Sequence, residues 1–193
     1  NTYEYNGIKL FGHDGFKLPD DVENEIEKLV LGTDLEENLP TGARLGKAKR
    51  IEDAMGRYIV WVKASFPQNY DLRGTRVVLD CAHGAAYKLA PLVFEELGAE
   101  VILIGNSPDG TNINKDVGAL HPEMTCQLVQ KYRADIGVAL DGDADRVILV
   151  DDQGKVVDGD QVMAILARDL KSQNRLAHNT LVTTPMSNMG LEI

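Results

Sequence analysis

Residues 134–146 read ADIGVALDGDADR, a mostly apolar run followed at once by three aspartates at alternate positions. The apolar composition of residues 135–140 predicts a buried strand. In α/β sheets, ligands bind beyond the carboxyl ends of parallel strands, so the aspartates stand where a site is expected. Alternate side chains of an extended segment point the same way, and we therefore expect Asp141, Asp143 and Asp145 to converge on one point.

Three carboxylates held close together repel one another, and a bound cation is the natural compensation. Carboxylate oxygens are hard ligands that favour Mg²⁺ or Ca²⁺ over softer metals. A calcium EF-hand also uses alternating aspartates, but it requires Gly at its sixth position and Glu at its twelfth. Arg146 and Asp152 stand at those positions. A magnesium site and a solvated acidic turn remain, and the sequence favours the magnesium site.

Arg146 directly follows the third aspartate. A guanidinium group beside a metal site is well suited to bind phosphate, because its donors match the geometry of phosphate oxygens. The alternative is a surface ion pair with the aspartates. The sequence favours the phosphate contact, which makes Arg146 a candidate catalytic residue.

Strands and helices alternate on both sides of this loop. Strands are predicted over residues 8–11, 16–18, 76–80, 100–104, 135–140 and 181–183, with a hairpin over 146–157, and helices from residue 19 and over 52–65, 85–97, 122–133 and 160–170. The strand-helix-strand order with apolar strands predicts parallel pairing and helices on both faces of the sheet. The predicted fold class is therefore α/β, with mixed, largely parallel sheets flanked by helices.

Two changes in pattern, near residues 66–74 and near residue 154, indicate domain boundaries. Residues 1–66 are predicted to be the C-terminal part of a first α/β domain, and residues 67–154 a second α/β domain that carries the aspartates. Residues 155–193 are predicted to begin a third. The sequence lacks an initiating Met and stops where a helix is predicted to begin, which we interpret as an internal fragment.

The composition excludes several classes of partner. The net charge is −10 and the sequence pI is about 4.8, which argues against binding to a nucleic-acid backbone. No apolar run approaches the roughly 18 residues that span a bilayer, and no signal peptide is evident, so no membrane partner is expected. The two cysteines, Cys81 and Cys126, have neither a paired nor a metal-ligand spacing. Their small number favours the reducing cytoplasm.

Several motifs resemble one known family. The segment Asp141-Gly142-Asp143-Ala144-Asp145-Arg146 resembles the metal-binding loop of the α-D-phosphohexomutase superfamily. Asn6-Gly7-Ile8-Lys9 is similar to the segment after that family's active-serine motif, of which Asn1 would be the last residue. Further segments together resemble its phosphoglucosamine mutase branch: Gly46-Lys47-Ala48, Asp80-Cys81-Ala82, Gly110-Thr111-Asn112-Ile113-Asn114, Asp158-Gly159-Asp160-Gln161 and Met186-Ser187-Asn188-Met189-Gly190.

The resemblance runs the whole length of the chain, with two departures. Thr2 replaces the usual Pro, and His83 stands where many relatives carry Asn. Members of the family have four domains around a central cleft. By this resemblance the chain would lack the phosphorylatable serine, the sugar-binding loop and the phosphate-binding fourth domain.

The resemblance also implies a function, in which a small-molecule phosphosugar is the substrate. Full-length relatives in the phosphoglucosamine mutase branch interconvert glucosamine 6-phosphate and glucosamine 1-phosphate through a phosphoserine and a bisphosphate intermediate. Asp141, Asp143 and Asp145 would hold Mg²⁺, and Lys9 would serve in proton transfer or phosphoryl stabilisation. A homodimer of the full-length protein is compatible with the resemblance. The alternatives are a phosphomannomutase or phosphoglucomutase, or a non-catalytic module that binds a divalent metal; the isolated chain is expected to be inactive.

Overall fold

The computed structural model describes residues 2–5, 7–32, 39–47 and 50–191. Three residues that the resemblance uses, Asn1, Asn6 and Ala48, lie outside the described residues. The chain divides into two compact units, the smaller of Tyr5–Asp53 and the larger of Asn1–Glu4 together with Ala54–Ile193. Within the described ranges, no helix is long and apolar enough to cross a bilayer.

Five strands of the larger unit form one sheet. They are β1 (Arg76–Asp80), β2 (Glu100–Ile104), β3 (Ile136–Leu140), β4 (Val147–Val150) and β5 (Val156–Val157), in the spatial order β2-β1-β3-β4-β5. The central strand β1 is parallel to both of its neighbours, whereas β4 is antiparallel to β3 and to β5. The predicted α/β fold with a mixed sheet is confirmed, and the predicted hairpin is the β4–β5 pair.

Five α-helices accompany these strands in the described part of the chain. They are α1 (Asp20–Leu31), α2 (Ala54–Lys63), α3 (Leu89–Glu96), α4 (Glu123–Tyr132) and α5 (Gly159–Ser172). Helix α1 belongs to the smaller unit and the other four to the larger. Helix α3 packs against β2 and α2, while α4 packs against β1, β3 and β4. The strand-helix-strand order predicted from the sequence thus corresponds to a sheet against which α3 and α4 pack.

The core explains why the central strands read as continuous apolar runs. Val77 and Leu79 of β1 pack in one cluster with Phe94 of α3, whereas Val78 packs in a second cluster with Val129 of α4. Successive side chains of a strand point to opposite faces, so both faces of β1 are buried. Each such buried side chain stabilises the fold by roughly 1.5–3 kcal/mol. The strand ends that carry the polar connections are therefore held firmly.

The smaller unit has much less regular structure. Helix α1 forms as predicted, but the predicted hairpin of residues 8–11 and 16–18 is reduced to one antiparallel bridge between Phe11 and Lys17. The Lys17 ammonium pairs with the Glu23 carboxylate of α1 at 2.7 Å. No residue of α1 is buried. This unit therefore lacks the two-sided burial that defines the strands of the larger unit.

The segment after the sheet begins with α5. Its N-terminus has a capping box, in which the Asp158 side chain accepts from the Gln161 N–H and the Gln161 side chain accepts from the Asp158 N–H. Asp160 in its first turn accepts a hydrogen bond from the backbone N–H of Asn188. The strand predicted over residues 181–183 does not form. A strand requires a neighbouring strand to satisfy its backbone groups, and this segment has none among the described residues.

Candidate functional site

Three connections leave the same edge of the sheet, where β1, β2 and β3 end. They comprise residues 81–88, 105–122 and 141–146, and the last of these, hereafter the aspartate loop, carries the three predicted metal ligands. The three strands are parallel neighbours. The carboxyl edge of such a sheet is where α/β proteins bind ligands.

Asp80, the last residue of β1, is hydrogen-bonded to the connection after β1, to the connection after β2 and to α4. Its side chain is fully buried and accepts hydrogen bonds from the N–H groups of Ala82 and Gly118, at 2.9 and 2.7 Å. The Thr125 hydroxyl of α4 donates to the same carboxylate at 3.4 Å. A buried carboxylate is stable only when it is bonded in this way. Asp80 thus ties the end of β1 to the connection after β2 and to α4.

Burial at this edge also makes the thiol of the next residue, Cys81, unreactive. Cys81 is fully buried, and burial together with the nearby Asp80 carboxylate raises the pKa of its thiol to about 12. Nucleophilic attack requires the thiolate, and at neutral pH almost none is present. Cys81 is therefore a packing residue.

Gly142 is bonded on both sides by residues from the other two connections. Its N–H donates to the Asn114 side-chain oxygen at 2.9 Å, and its carbonyl accepts from the Ala85 N–H at 2.8 Å. The backbone also approaches closely at Gly84, where an added Cβ would overlap the Gly142 carbonyl oxygen. The beginning of the aspartate loop is therefore fixed by contacts from the connections after β1 and β2.

The aspartate loop is a turn, and this corrects the expected geometry. Ala144 has a φ of 58°, in the left-handed region, so residues 141–145 are not an extended segment whose alternate side chains align. Across the described residues, no three His, Cys, Asp or Glu side chains lie close enough together to hold a metal ion. The expected convergence of three carboxylates is therefore absent from this structure.

Arg146 turns back onto Asp141 instead. Its guanidinium donates to one Asp141 carboxylate oxygen from Nε at 3.2 Å and from Nη2 at 3.0 Å. The other oxygen accepts from the N–H groups of Asp145 and Arg146 at 3.1 and 3.0 Å. Burial opposes the charge of Asp141, but the hydrogen bonds and the positive charge of Arg146 outweigh it and hold the pKa of this carboxyl below its usual value. Asp141 is therefore a buried anion with a cation beside it.

The other predicted residues have different surroundings. Asp143 and Asp145 are exposed, and Asp145 lies 3.7 Å from the Nε of Arg146. The Arg146 side chain is 60% exposed, so it can reach a ligand in solvent while it pairs with Asp141. Lys9 is an exposed residue of the smaller unit, two positions before the Phe11–Lys17 bridge. The structure thus groups Arg146 with Asp141 and Asp145.

The donor types of the aspartate loop fit a hard divalent cation. It supplies three carboxylates, and two of them, Asp143 and Asp145, face solvent where a cation can enter. Carboxylate oxygen is the preferred protein ligand of Mg²⁺, which commonly keeps several waters and uses few carboxylates. The Asp141–Arg146 pair shows that the innermost position already favours a positive charge. The loop can therefore serve a magnesium ion by donor chemistry, although its side chains are not grouped around one.

The connection after β2 is held by its own polar side chains. The Asp109 side chain accepts from the N–H and hydroxyl of Thr111, and the Asn112 side chain bonds to the Asp109 N–H and to the Ser107 carbonyl. The Ser107 N–H donates to Nδ1 of His83 at 3.1 Å. His83 thus joins the connections after β1 and β2.

Sequence reasoning missed two residues of this edge, Asp80 and Asn114. Both stood only within segments quoted for their resemblance, with no role assigned. One signal was available for Asn114, because Asn adopts the left-handed conformation more readily than most residues, and its φ is 57°. Its contact with Gly142 crosses 28 positions of sequence, and no local pattern predicts such a contact.

Comparison with known families gives three consecutive matches. Residues 57–154 match "Phosphoglucomutase/phosphomannomutase, alpha/beta/alpha domain II". Residues 158–193 match domain III of the same family, and residues 1–37 match domain I. The domain II match includes strands β1 to β4 and the aspartate loop, and it covers more than half of the chain.

Individual relatives agree with these matches. A phosphoglucosamine mutase of Syntrophotalea carbinolica is 58% identical over 193 residues, and one of Anaeromyxobacter sp. is 59% identical over 196 residues. Each alignment covers 100% of this chain and 42% of the relative, so the chain spans about two fifths of the length of these curated relatives.

Two solved structures share the fold. A phosphoglucomutase/phosphomannomutase family protein of Burkholderia thailandensis superposes with a TM-score of 0.59 at 23% identity, over 81% of this chain and 32% of that one. A putative phosphomannomutase of Thermus thermophilus superposes with a TM-score of 0.52 at 22% identity, over 72% of this chain and 33% of that one.

Proposed function

The chain belongs to the phosphoglucomutase/phosphomannomutase family, and from that premise we propose that the whole protein is a phosphosugar mutase that interconverts glucosamine 6-phosphate and glucosamine 1-phosphate. The observation that carries this proposal is the identity of 58–59%, along the entire chain, to proteins named phosphoglucosamine mutase. The alternative sugars, mannose and glucose, have no comparable support among the relatives described above.

In the proposed cycle, a phosphoserine transfers its phosphoryl group to the C1 oxygen of glucosamine 6-phosphate. The C1 hydroxyl loses its proton as its oxygen attacks phosphorus, the bond from phosphorus to the serine oxygen breaks and that oxygen is protonated, so glucosamine 1,6-bisphosphate and a free serine hydroxyl form. The serine oxygen then attacks the phosphorus at C6 and loses its proton, the bond from phosphorus to the C6 oxygen breaks and that oxygen is protonated, and glucosamine 1-phosphate leaves the phosphoserine enzyme. We assign the phosphoserine to no residue of this chain. Such transfers depend on positioning and on neutralising the negative charge that spreads over the phosphoryl oxygens.

Arg146 and Lys9 are the proposed catalytic residues of this chain. The Arg146 guanidinium is mostly exposed and oriented by the buried Asp141 carboxylate, which presents its remaining donors for a phosphate. Lys9 stands in the segment that resembles the family's sequence after the active serine, and it is exposed. We assign it to proton transfer or to stabilisation of the phosphoryl group.

Mg²⁺ is the proposed cofactor, to be held by Asp141, Asp143 and Asp145. When bound, the ion would supply positive charge that favours departure of the leaving oxygen. The buried position of Asp141 and the exposure of Asp143 and Asp145 support this assignment, since they give the loop a fixed inner ligand and two accessible outer ones. Asp141 would then share its negative charge between the ion and Arg146.

We extend the proposal to the setting of the enzyme. The acidic composition and two free cysteines support a cytoplasmic protein that acts on small molecules and does not bind nucleic acid or membranes. The division into domains at residues 66 and 154 is supported by the nearby limits of the family matches, 57–154 and 158–193. A homodimer of the whole protein stays a prediction.

Substrate comparison tests the function. Phosphoryl isomerisation by the whole protein is measured with glucosamine 6-phosphate, glucose 6-phosphate and mannose 6-phosphate at saturating Mg²⁺. We expect kcat/KM to be largest for glucosamine 6-phosphate. Equal or better use of mannose or glucose phosphate would contradict the assigned sugar, and turnover of none of the three would contradict the mutase.

Two aspartate variants test the magnesium site in the same protein. Asp143→Asn is expected to abolish Mg²⁺ binding in a calorimetric titration, because it replaces a charged ligand of the loop. Asp152→Asn is the matched control, since Asp152 is an exposed aspartate in the next turn. Unchanged Mg²⁺ binding by Asp143→Asn would remove the metal assignment.

A further inference from the structure

Asn114 lies at the meeting point of the three connections. It is 9% exposed, and its backbone N–H donates to the Ala82 carbonyl at 2.8 Å. Its side-chain oxygen accepts from the Gly142 N–H at 2.9 Å. One residue of the connection after β2 therefore bonds to the connection after β1 and to the aspartate loop.

The hydrogen bond from the Gly142 N–H to Asn114 restrains the peptide group between Asp141 and Gly142. The Gly142 N–H belongs to the peptide group that links it to Asp141, and the Gly142 carbonyl belongs to the peptide group that links it to Asp143. Asn114 holds the first and the Ala85 N–H holds the second. Two fixed peptide groups leave the chain little rotational freedom at Gly142, and they set the direction in which Asp143 departs.

Gly142 itself is tightly enclosed. A Cβ added at this position would lie 2.7 Å from two carbons of Ile113 and 2.8 Å from the side-chain nitrogen of Asn114. The neighbouring residues thus fill the space that would otherwise let the loop shift sideways. The Asn114 side chain contributes both to this enclosure and to the hydrogen bond.

We infer that Asn114 is a positioning residue for the aspartate loop. Its side-chain oxygen accepts from the Gly142 N–H and so fixes the backbone from which the proposed Mg²⁺ ligands extend. Its consequence for metal binding rests on the proposed function, whereas its consequence for the loop rests on the geometry alone. Residues that orient metal ligands from outside the coordination shell typically change metal affinity or activity by about 10–100-fold when they are replaced.

The principal variant is Asn114→Gly. Glycine adopts the φ of 57° at this position without strain, so the change removes the side chain and leaves the backbone conformation accessible. Asn112→Ala is the matched control, because Asn112 lies in the same connection and its side chain bonds to Asp109 and Ser107. Asn114→Asp keeps an oxygen that can accept from the Gly142 N–H and serves as the conservative variant.

Amide hydrogen exchange of the whole protein measures the loop directly. In Asn114→Gly we expect exchange at the hydrogen-bonded N–H groups of Gly142 and of residues 144–146 to be faster by about 10-fold or more, with wild-type rates in Asn112→Ala and Asn114→Asp. Wild-type exchange in Asn114→Gly, or equal acceleration in Asn112→Ala, would overturn the inference. If Asn114→Gly does not fold, Asn114→Ser replaces it, because its hydroxyl is too short to reach the Gly142 N–H.

Mg²⁺ titration of the same whole proteins measures the consequence. We expect the Kd for Mg²⁺ to rise about 10-fold in Asn114→Gly and to be unchanged in Asn112→Ala. At saturating Mg²⁺, KM for the phosphosugar should stay near its wild-type value. An unchanged Kd in Asn114→Gly contradicts the inference. Absence of Mg²⁺ binding in the wild type contradicts the proposed function instead, and hydrogen exchange then still decides whether Asn114 positions the loop.

Discussion

The two halves of the aspartate loop differ sharply in their surroundings. Its root, Asp141 and Gly142, is buried and bonded to Asn114, Ala85 and Arg146. Its tip, residues 143–146, faces solvent, and the Asp145 and Arg146 side chains are 70% and 60% exposed. The difference teaches that the residues that hold a site in place and the residues that reach a ligand can be direct neighbours. Substitutions at the root and its supports should therefore have the larger effects on stability, whereas substitutions at the tip should change ligand binding with little effect on stability.

The largest effect is expected where the root is most crowded. In Gly84→Ala the new Cβ would overlap the Gly142 carbonyl oxygen and lie 2.5 Å from its Cα. Both atoms are backbone atoms of a bonded segment and cannot move aside cheaply. We expect the free energy of unfolding to fall by about 3 kcal/mol or more, as measured by urea denaturation.

Gly56→Ala is the control for this change. Gly56 lies in α2, and a Cβ there would meet no atom within 4 Å. Replacing a helical glycine with alanine is expected to raise the free energy of unfolding by about 0.5–1 kcal/mol. Similar losses in both variants would show that the root is no more crowded than a helix surface, and the contrast between root and tip would be broken.

A smaller but substantial loss is expected at the support beneath the root. Asp80→Asn removes the charge of a fully buried group that accepts from Ala82, Gly118 and Thr125. Because bonds to a charged acceptor are the stronger kind, we expect the free energy of unfolding to fall by about 2 kcal/mol. The measurement is again urea denaturation, with exposed Asp109→Asn as the comparison. An unchanged free energy of unfolding in Asp80→Asn would mean that the charge of the Asp80 carboxylate does not stabilise this edge of the sheet.

The smallest effect on stability is expected at the tip. Asp143 is exposed, so Asp143→Asn should change the free energy of unfolding by no more than about 0.5 kcal/mol, although the proposed function requires it to lose Mg²⁺ binding. Thermal denaturation of the metal-free protein gives the stability readout. A large destabilisation of this variant would show that the tip supports the fold, and the division of labour within the loop would no longer hold.

The central sheet could be predicted from the sequence because burial on two faces leaves a strong local pattern. The strands at residues 76–80 and 100–104 form with the predicted limits, and the strand before the aspartate loop begins one residue later than predicted. Runs of β-branched and aliphatic residues between polar turns have few other interpretations. In the smaller unit, where few residues are buried, the predicted hairpin was reduced to a single bridge.

The shape of the site could not be predicted in the same way. Alternation of aspartates gives convergent side chains only in an extended chain, and one left-handed residue, Ala144, is enough to undo it. The contacts that hold the root come from Ala85 and Asn114, and such long-range contacts arise only once the sheet has brought the strand ends together. Residue types at the site were visible in the sequence, whereas their partners were not.

The aspartate loop is also the hairpin connection between β3 and β4, closed by the Leu140–Val147 pair and by a hydrogen bond from the Asp141 N–H to the Arg146 carbonyl. Surface loops ordinarily tolerate added residues, because lengthening a flexible connection costs little. Here one added residue that shifted the register of β4 would turn Val150, fully buried against α4, towards the opposite face and bring Leu149 into its place. The length of this connection is therefore constrained by the hydrophobic core as well as by its carboxylates.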